Sequence, residues 1–189
     1  MSENQNTVQA AVPARSGRRE QAGREVVDSS AARIVLAAVR LSIGWIFLWA
    51  FLDKLLGLGF STPSEGAWVN GGSPTEGFLA HGVSGPFAGP YQSMAGAAWA
   101  DALFMAGLLG IGAALVLGIG MRVAAGSGAL LLVLMWTAAL PPETNPLIDD
   151  HVVMALTVVG LALLNAGDTL GLGRYWAALP LVRRVPALR

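Results

Sequence analysis

Residues 145–167 read NPLIDDHVVMALTVVGLALLNAG. Asp149, Asp150 and His151 stand directly in front of an apolar run that ends near residue 167. Crossing ~30 Å of hydrocarbon takes ~20 residues at 1.5 Å per residue, and this run is of that order. Working back along the chain, three more apolar segments occupy about 33–58, 99–120 and 123–140. A segment in hydrocarbon must pair every backbone N–H and C=O internally, so each is expected to be a helix. The predicted fold is all-α, an integral membrane four-helix bundle whose last span covers about 147–167.

Composition agrees with that class. The chain has 189 residues, 54% hydrophobic and only 13% charged, whereas soluble domains carry about 25% charged residues. It contains no cysteine, which excludes disulfides, thiolate-held iron–sulfur clusters and covalently attached c-type haem. Formal net charge is zero, so nothing in the overall charge points to nucleic acid.

The placement of the charges predicts orientation. Of twelve Lys and Arg residues, ten lie before residue 34, at Arg122, or from Arg174 onward. The long loop 59–98 and the loop 141–149 contain none, but carry Glu65, Glu76, Glu143 and Asp149. Basic residues mark cytoplasmic connections, so both termini are expected inside and both acidic loops outside a cell membrane crossed several times. Residues 1–32 are polar and aperiodic and read as a disordered cytoplasmic tail. The membrane domain covers about 33–176, and 177–189 form a basic cytoplasmic tail.

Within the outer loop, Ser73-Pro74-Thr75-Glu76 has the pattern of a helix start: serine cap, proline first, acid three residues on. A short helix bearing Phe78 and Leu79 is expected to follow. Forty residues is long for a connector and suggests a lid or a docking surface. In the second span Ala106, Gly110, Ala114 and Gly118 recur every four residues. Such a stripe lets another backbone approach closely, within the bundle or in a homo-oligomer.

Charges inside the spans carry the functional readings. Arg40 lies deep in the first span, where it snorkels to the inner headgroups or meets a partner in the bundle. Arg40 and Lys54 are fourteen residues apart, close to four turns and so nearly on one face; His151 and Asn165 share that separation. If those faces meet, Arg40 lies level with Asn165 near the inner side, and Lys54 meets His151 near the outer side. Asp168 could also answer Arg40. Asp53, Lys54, Asp101, Asp150 and His151 would then form one outer polar cluster. Asn145-Pro146 suits the cap and first position of the last helix. Asp149 and Asp150 would face its positive N-terminal end. Capping, a ligand or proton site, and a metal site all remain open for this motif. Metal is disfavoured, because His81 is the sole other histidine and no thiolate exists.

RLSIGWIFLWAFLDKL in the first span, GGSPTEGFL in the outer loop, and NPLIDDH and NAGDTLGLGRYW bounding the last span occur in a set order. Together they resemble the DoxX/DoxD family of small four-helix membrane proteins, over residues 33–176. That family takes its name from a subunit of archaeal thiosulfate:quinone oxidoreductase. The resemblance implies a subunit of a quinone-linked redox system, with a quinone as possible ligand and a protein partner supplying the redox chemistry. His151 with Asp150, and Lys54, could give protons and hydrogen bonds to such a ligand. Trp45, Phe47 and Trp49 could line a slot for its ring. No cofactor site is visible in the sequence, and nothing in the chain supplies electrons. Two other readings are a membrane scaffold for a partner enzyme and a permease for a small solute. No inverted repeat or broken helix pair favours the last.

Overall fold

The computed structural model describes residues 29–142 and 145–189. Among them no β-strand occurs, and four principal helices carry the fold: α1 (Ser30–Leu56), α2 (Ala98–Leu117), α3 (Met121–Ala138) and α4 (Asp150–Leu163). Two shorter helices, α5 (Gly173–Ala178) and α6 (Pro180–Arg184), follow. The disordered tail expected over 1–32 lies mostly outside the described residues; its end belongs to α1. Ser29 caps that helix by accepting from the Ala32 N–H at 3.1 Å.

Helices α1, α2 and α3 are each long and apolar enough to cross a membrane. The last helix is shorter than the expected 147–167 span. Its 14 residues rise about 21 Å, less than the hydrocarbon thickness of ~30 Å. Both limits have local causes. Asn145 does not cap the helix: its Oδ1 accepts from the N–H groups of Leu147 and Ile148 at 2.9 and 2.7 Å, forming an Asx turn. Asp149 is the N-cap instead, accepting from His151 and Val152. At the other end Asn165 takes a left-handed conformation, φ 50°, which asparagine tolerates and which stops an α-helix.

Helix α1 packs chiefly on α2 and α3 on α4, with α2 against α3 joining the pairs. The core between them contains Ile43, Phe47, Met105, Leu115, Leu132, Val158 and Leu161. Outward faces are equally apolar: Trp45 is 54% exposed, Leu103 68%, Leu156 71% and Leu163 77%. Large apolar residues displayed all round a bundle suit surrounding lipid rather than water.

Close approach of α1 and α2 rests on Gly44 and Gly112. A Cβ on Gly44 would lie 3.0 Å from the Val116 amide nitrogen, and one on Gly112 2.9 Å from that of Leu48. The four-residue stripe is a different face. Ala106 and Gly110 are exposed, and a Cβ on Gly110 would meet nothing within 4 Å. Internal packing therefore does not account for those two positions; they line the outside of the bundle.

The helices alternate in direction, so the connections fall at two ends. The loop end holds 57–97 and the described residues between α3 and α4. The tail end holds the start of α1, the α2–α3 turn and everything after α4. There the last residues fold back on α3: the Arg122 N–H donates to the Arg189 carbonyl at 2.7 Å, and the Trp176 indole to Leu188.

Candidate functional site

At the loop end the two buried carboxylates hold the loop. Asp53, on the last turn and a half of α1, accepts from the N–H groups of Phe60 and Ser61 at 3.2 and 2.9 Å and from the Ser61 hydroxyl at 2.7 Å. Asp101, in the first turn of α2, accepts at one oxygen from the Ser73 and Thr75 hydroxyls and the Thr75 N–H, at 2.9, 2.6 and 3.0 Å. Each carboxylate thus gathers loop donors, and at Asp101 the bonds from Thr75 are buried. The cap pattern at Ser73 is present, its hydroxyl accepting from the Glu76 N–H at 3.1 Å. A short π-helical turn, Phe78–Gly82, follows and carries Phe78 and Leu79.

Pinned at these points, the loop forms one wall of a cavity of about 500 Å³, open on the outer side of the bundle, between α2, α3 and the end of α1. Phe78, Leu79, Tyr91 and Met94 come from the loop, Trp99, Leu103 and Phe104 from α2, and Leu131 and Met135 from α3. Tyr91 anchors the loop to α3, its hydroxyl 2.9 Å from the Leu134 carbonyl and 2.6 Å from Thr137 Oγ1. Lys54 is the one charged residue in the lining. Its ammonium has no hydrogen-bond or ion-pair partner among the described residues, although Asp53 adjoins it in sequence. An ammonium beside apolar walls keeps its three donors for whatever enters.

The expected outer cluster therefore divides. Asp53 and Asp101 bond the loop, Lys54 faces the cavity, and neither Asp150 nor His151 lines it. Asp150 is exposed. The partner of His151 is Asp149: imidazole Nδ1 lies 2.7 Å from its Oδ2. Burial alone would raise the Asp149 carboxyl, but the His151 ring and the Val152 and His151 N–H groups outweigh it and hold the carboxyl below the ordinary range. Capping, with a histidine brace, accounts for these contacts. The aromatic slot also divides: Phe47 is buried in the core, while Trp49 stacks at 5.8 Å on exposed Trp45 and edge-on at 5.0 Å against Phe60. The aromatics of the cavity lie on the loop and α2, where sequence spacing gave no periodic signal.

At the tail end Arg40, wholly buried, donates to four backbone carbonyls. Nη1 reaches Leu115 and, at 3.0 Å, Val116; Nη2 reaches Thr169 at 3.2 Å and Leu170 at 2.8 Å. The partner is the backbone, with neither Asn165 nor Asp168 bonded to it. Asn165 terminates α4, and Asp168 pairs with Arg189 at 3.3 Å. Glycines make room for this arrangement. A Cβ on Gly118, φ 72°, would fall 2.7 Å from the Gly167 carbonyl and 3.2 Å from Arg40 Nη1. One on Gly171 would fall 3.1 Å from Nη2. The glycine spacing of NAGDTLGLG is thus a close-approach pattern around a buried guanidinium.

Among the described residues no three His, Asp or Glu side chains converge as metal ligands. Compared with protein-family models, with curated proteins and with solved structures, the chain matches none.

Proposed function

We propose that the protein is a multi-pass membrane subunit of a quinone-linked redox system, holding an apolar, carbonyl-bearing molecule of the quinone class against its long loop. The observation that carries this is the cavity of about 500 Å³ with apolar walls and one ammonium, Lys54. A quinone ring and the first part of its chain have that character: apolar faces, with oxygens that accept hydrogen bonds at the rim. The volume lies within the usual range for small-molecule sites, roughly 300–1,000 Å³. Lys54 would donate to one carbonyl oxygen, Trp99 and Phe78 would bound the ring, and Leu103 and Leu131 would meet the tail. The resemblance to DoxX/DoxD proteins points to the same ligand class.

When bound, a quinone supplies a two-electron, two-proton acceptor. The chain itself binds, orients and excludes water, and Lys54 can hold a proton at the oxygen it faces. Electrons come from a partner. In this reading the loop end faces outward and the tail end, rich in arginine, faces the cytoplasm. The exposed loop aromatics Phe60, Trp68 and Phe87 suit a surface where that partner docks.

The test uses the purified full chain in mild detergent and a decyl-chain benzoquinone, with binding followed by quenching of tryptophan fluorescence. Lys54→Met should weaken binding roughly tenfold or more, since a hydrogen bond from a charged donor contributes about 1.5–3 kcal/mol. Ala100→Phe, which fills the cavity, should abolish it. Unchanged binding in both variants would sink the assignment.

A further inference from the structure

Two contiguous hollows of about 300 Å³ each lie at the tail end, between the start of α1 and the turn that follows α4. Both are lined by Arg33, Asp168, Thr169 and Arg174. Neither arginine has a hydrogen-bond or ion-pair partner among the described residues. The one carboxylate in the hollows, Asp168, is bonded to Arg189. Two unpaired guanidiniums from distant parts of the chain thus share one concavity, and Ser30, at the positive start of α1, lines it too. The rim is apolar: Ile34 and Leu170 line one hollow and Leu164 the other, all three exposed.

A phosphate group satisfies this arrangement. It carries the charge that paired guanidiniums bind best, through parallel N–H···O bonds. The apolar rim adds the second half of an amphiphile. Arginines at the boundary of a membrane-facing surface, next to exposed aliphatic side chains, meet a bilayer lipid at the level of its headgroup. We propose that this is a site for a phosphate-bearing anion, the headgroup of an anionic bilayer lipid, gripped by Arg33 and Arg174 with its chains along Ile34, Leu164 and Leu170. The site is separate from the loop-end cavity and does not rest on what that cavity binds.

The experiment is native mass spectrometry of the delipidated full chain in neutral detergent, titrated with phosphatidylglycerol, with phosphatidylcholine, or with phosphatidylglycerol plus millimolar inorganic phosphate. One phosphatidylglycerol should bind in preference to phosphatidylcholine. The double variant Arg33→Gln, Arg174→Gln should lose roughly tenfold or more of that affinity. Arg33→Lys, Arg174→Lys should recover part of it, which shows that a loss reflects charge and not misfolding. Arg183→Gln, Arg184→Gln changes net charge equally away from the hollows and should bind as the parent does. Equal binding by the Arg33/Arg174 glutamine variant, or equal loss in the Arg183/Arg184 variant, would overturn the site. Full displacement by inorganic phosphate would overturn the lipid as occupant and assign a soluble phosphate instead.

Discussion

Replacing Arg40 tests the physical account of the tail end most directly. The last four carbonyls of an α-helix have no partner within it, and the structure supplies one for each in α2. Ala114 receives the Gly118 and Ile119 N–H groups, and Leu117 receives Leu172 at 2.8 Å. Leu115 and Val116 receive Arg40. In Arg40→Met those two carbonyls are stranded in an apolar interior, and the charge that complements the end of the α2 dipole is gone. The Thr169 and Leu170 carbonyls, on a turn nearer the surface, can recruit water. A buried group left without its partner costs about 1–3 kcal/mol, so two of them give about 2–6 kcal/mol.

For a chain of this size that lowers the melting temperature by on the order of 10 °C. Heating the protein in detergent and measuring the monodisperse fraction by size-exclusion chromatography reads the shift. Arg40→Lys should recover about half, because an ammonium is a point charge and cannot span both carbonyl pairs. Surviving Arg40→Met at low temperature should bind the quinone probe as the parent does, since the loop-end cavity is untouched. A variant that melts with the parent would refute the capping argument. One that melts normally but loses quinone binding would make Arg40 a functional charge.

The glycine cradle predicts a contrast. Gly118→Ala, strained at φ 72° and 2.7 Å from the Gly167 carbonyl, should cost about 1–3 kcal/mol, whereas Gly110→Ala should be neutral or slightly stabilising; thermal unfolding of both checks this. Asp101→Ala removes the acceptor of three loop donors, so limited proteolysis within 59–98 should accelerate several-fold, and an unchanged rate would refute the tether. The Asp149 carboxyl is held below the ordinary range, so its contribution to stability is present above its unfolded value, near 3.9. That contribution is lost as pH falls through the lower folded value. Asp149→Asn, still a good cap, should remove this acid dependence at little cost at neutral pH, as read from unfolding curves between about pH 5 and pH 2.

Hydropathy located the helices because bilayer thickness imposes length and composition together. The start of α1 shifted by three residues because a serine cap outweighs the position of the first apolar residue. The last helix was overestimated because Asn145 and Asn165 look compatible with a long apolar run, while the first makes an Asx turn and the second takes a left-handed φ. At the tail end, spacing placed Arg40 near the stretch after α4. It suggested a side-chain partner, because main-chain carbonyls leave no mark in a sequence. The glycines did carry the mark: Gly118, Gly167 and Gly171 each stand where a Cβ would meet a carbonyl or the guanidinium itself. The cavity was not legible. Its walls come from a loop, two helices and the end of a third, brought together by tethers distant in sequence: Ser73 and Thr75 on Asp101, Phe60 and Ser61 on Asp53, and Tyr91 on α3.

Those tethers also explain why Lys54 is the group to watch. At the loop end Asp53 is engaged with Phe60 and Ser61, Asp101 with Ser73 and Thr75, and Asp149 with His151 and Val152. These three carboxylates are hydrogen-bonded to donors from their own neighbourhood, and none of them bonds the Lys54 ammonium, which lies beside apolar walls. The loop, anchored through Tyr91 to α3 and through Asp101 to α2, leaves Lys54 half-buried at the edge of the cavity. Holding a charge there is costly, and under the proposed function an acceptor that enters the cavity offsets part of that cost. The loop tethers and the lysine are therefore one device: releasing the loop by Asp101→Ala should weaken quinone binding even though Asp101 does not line the cavity. Binding that survives loop release but falls with Lys54→Met would separate the two and leave the loop a partner surface only.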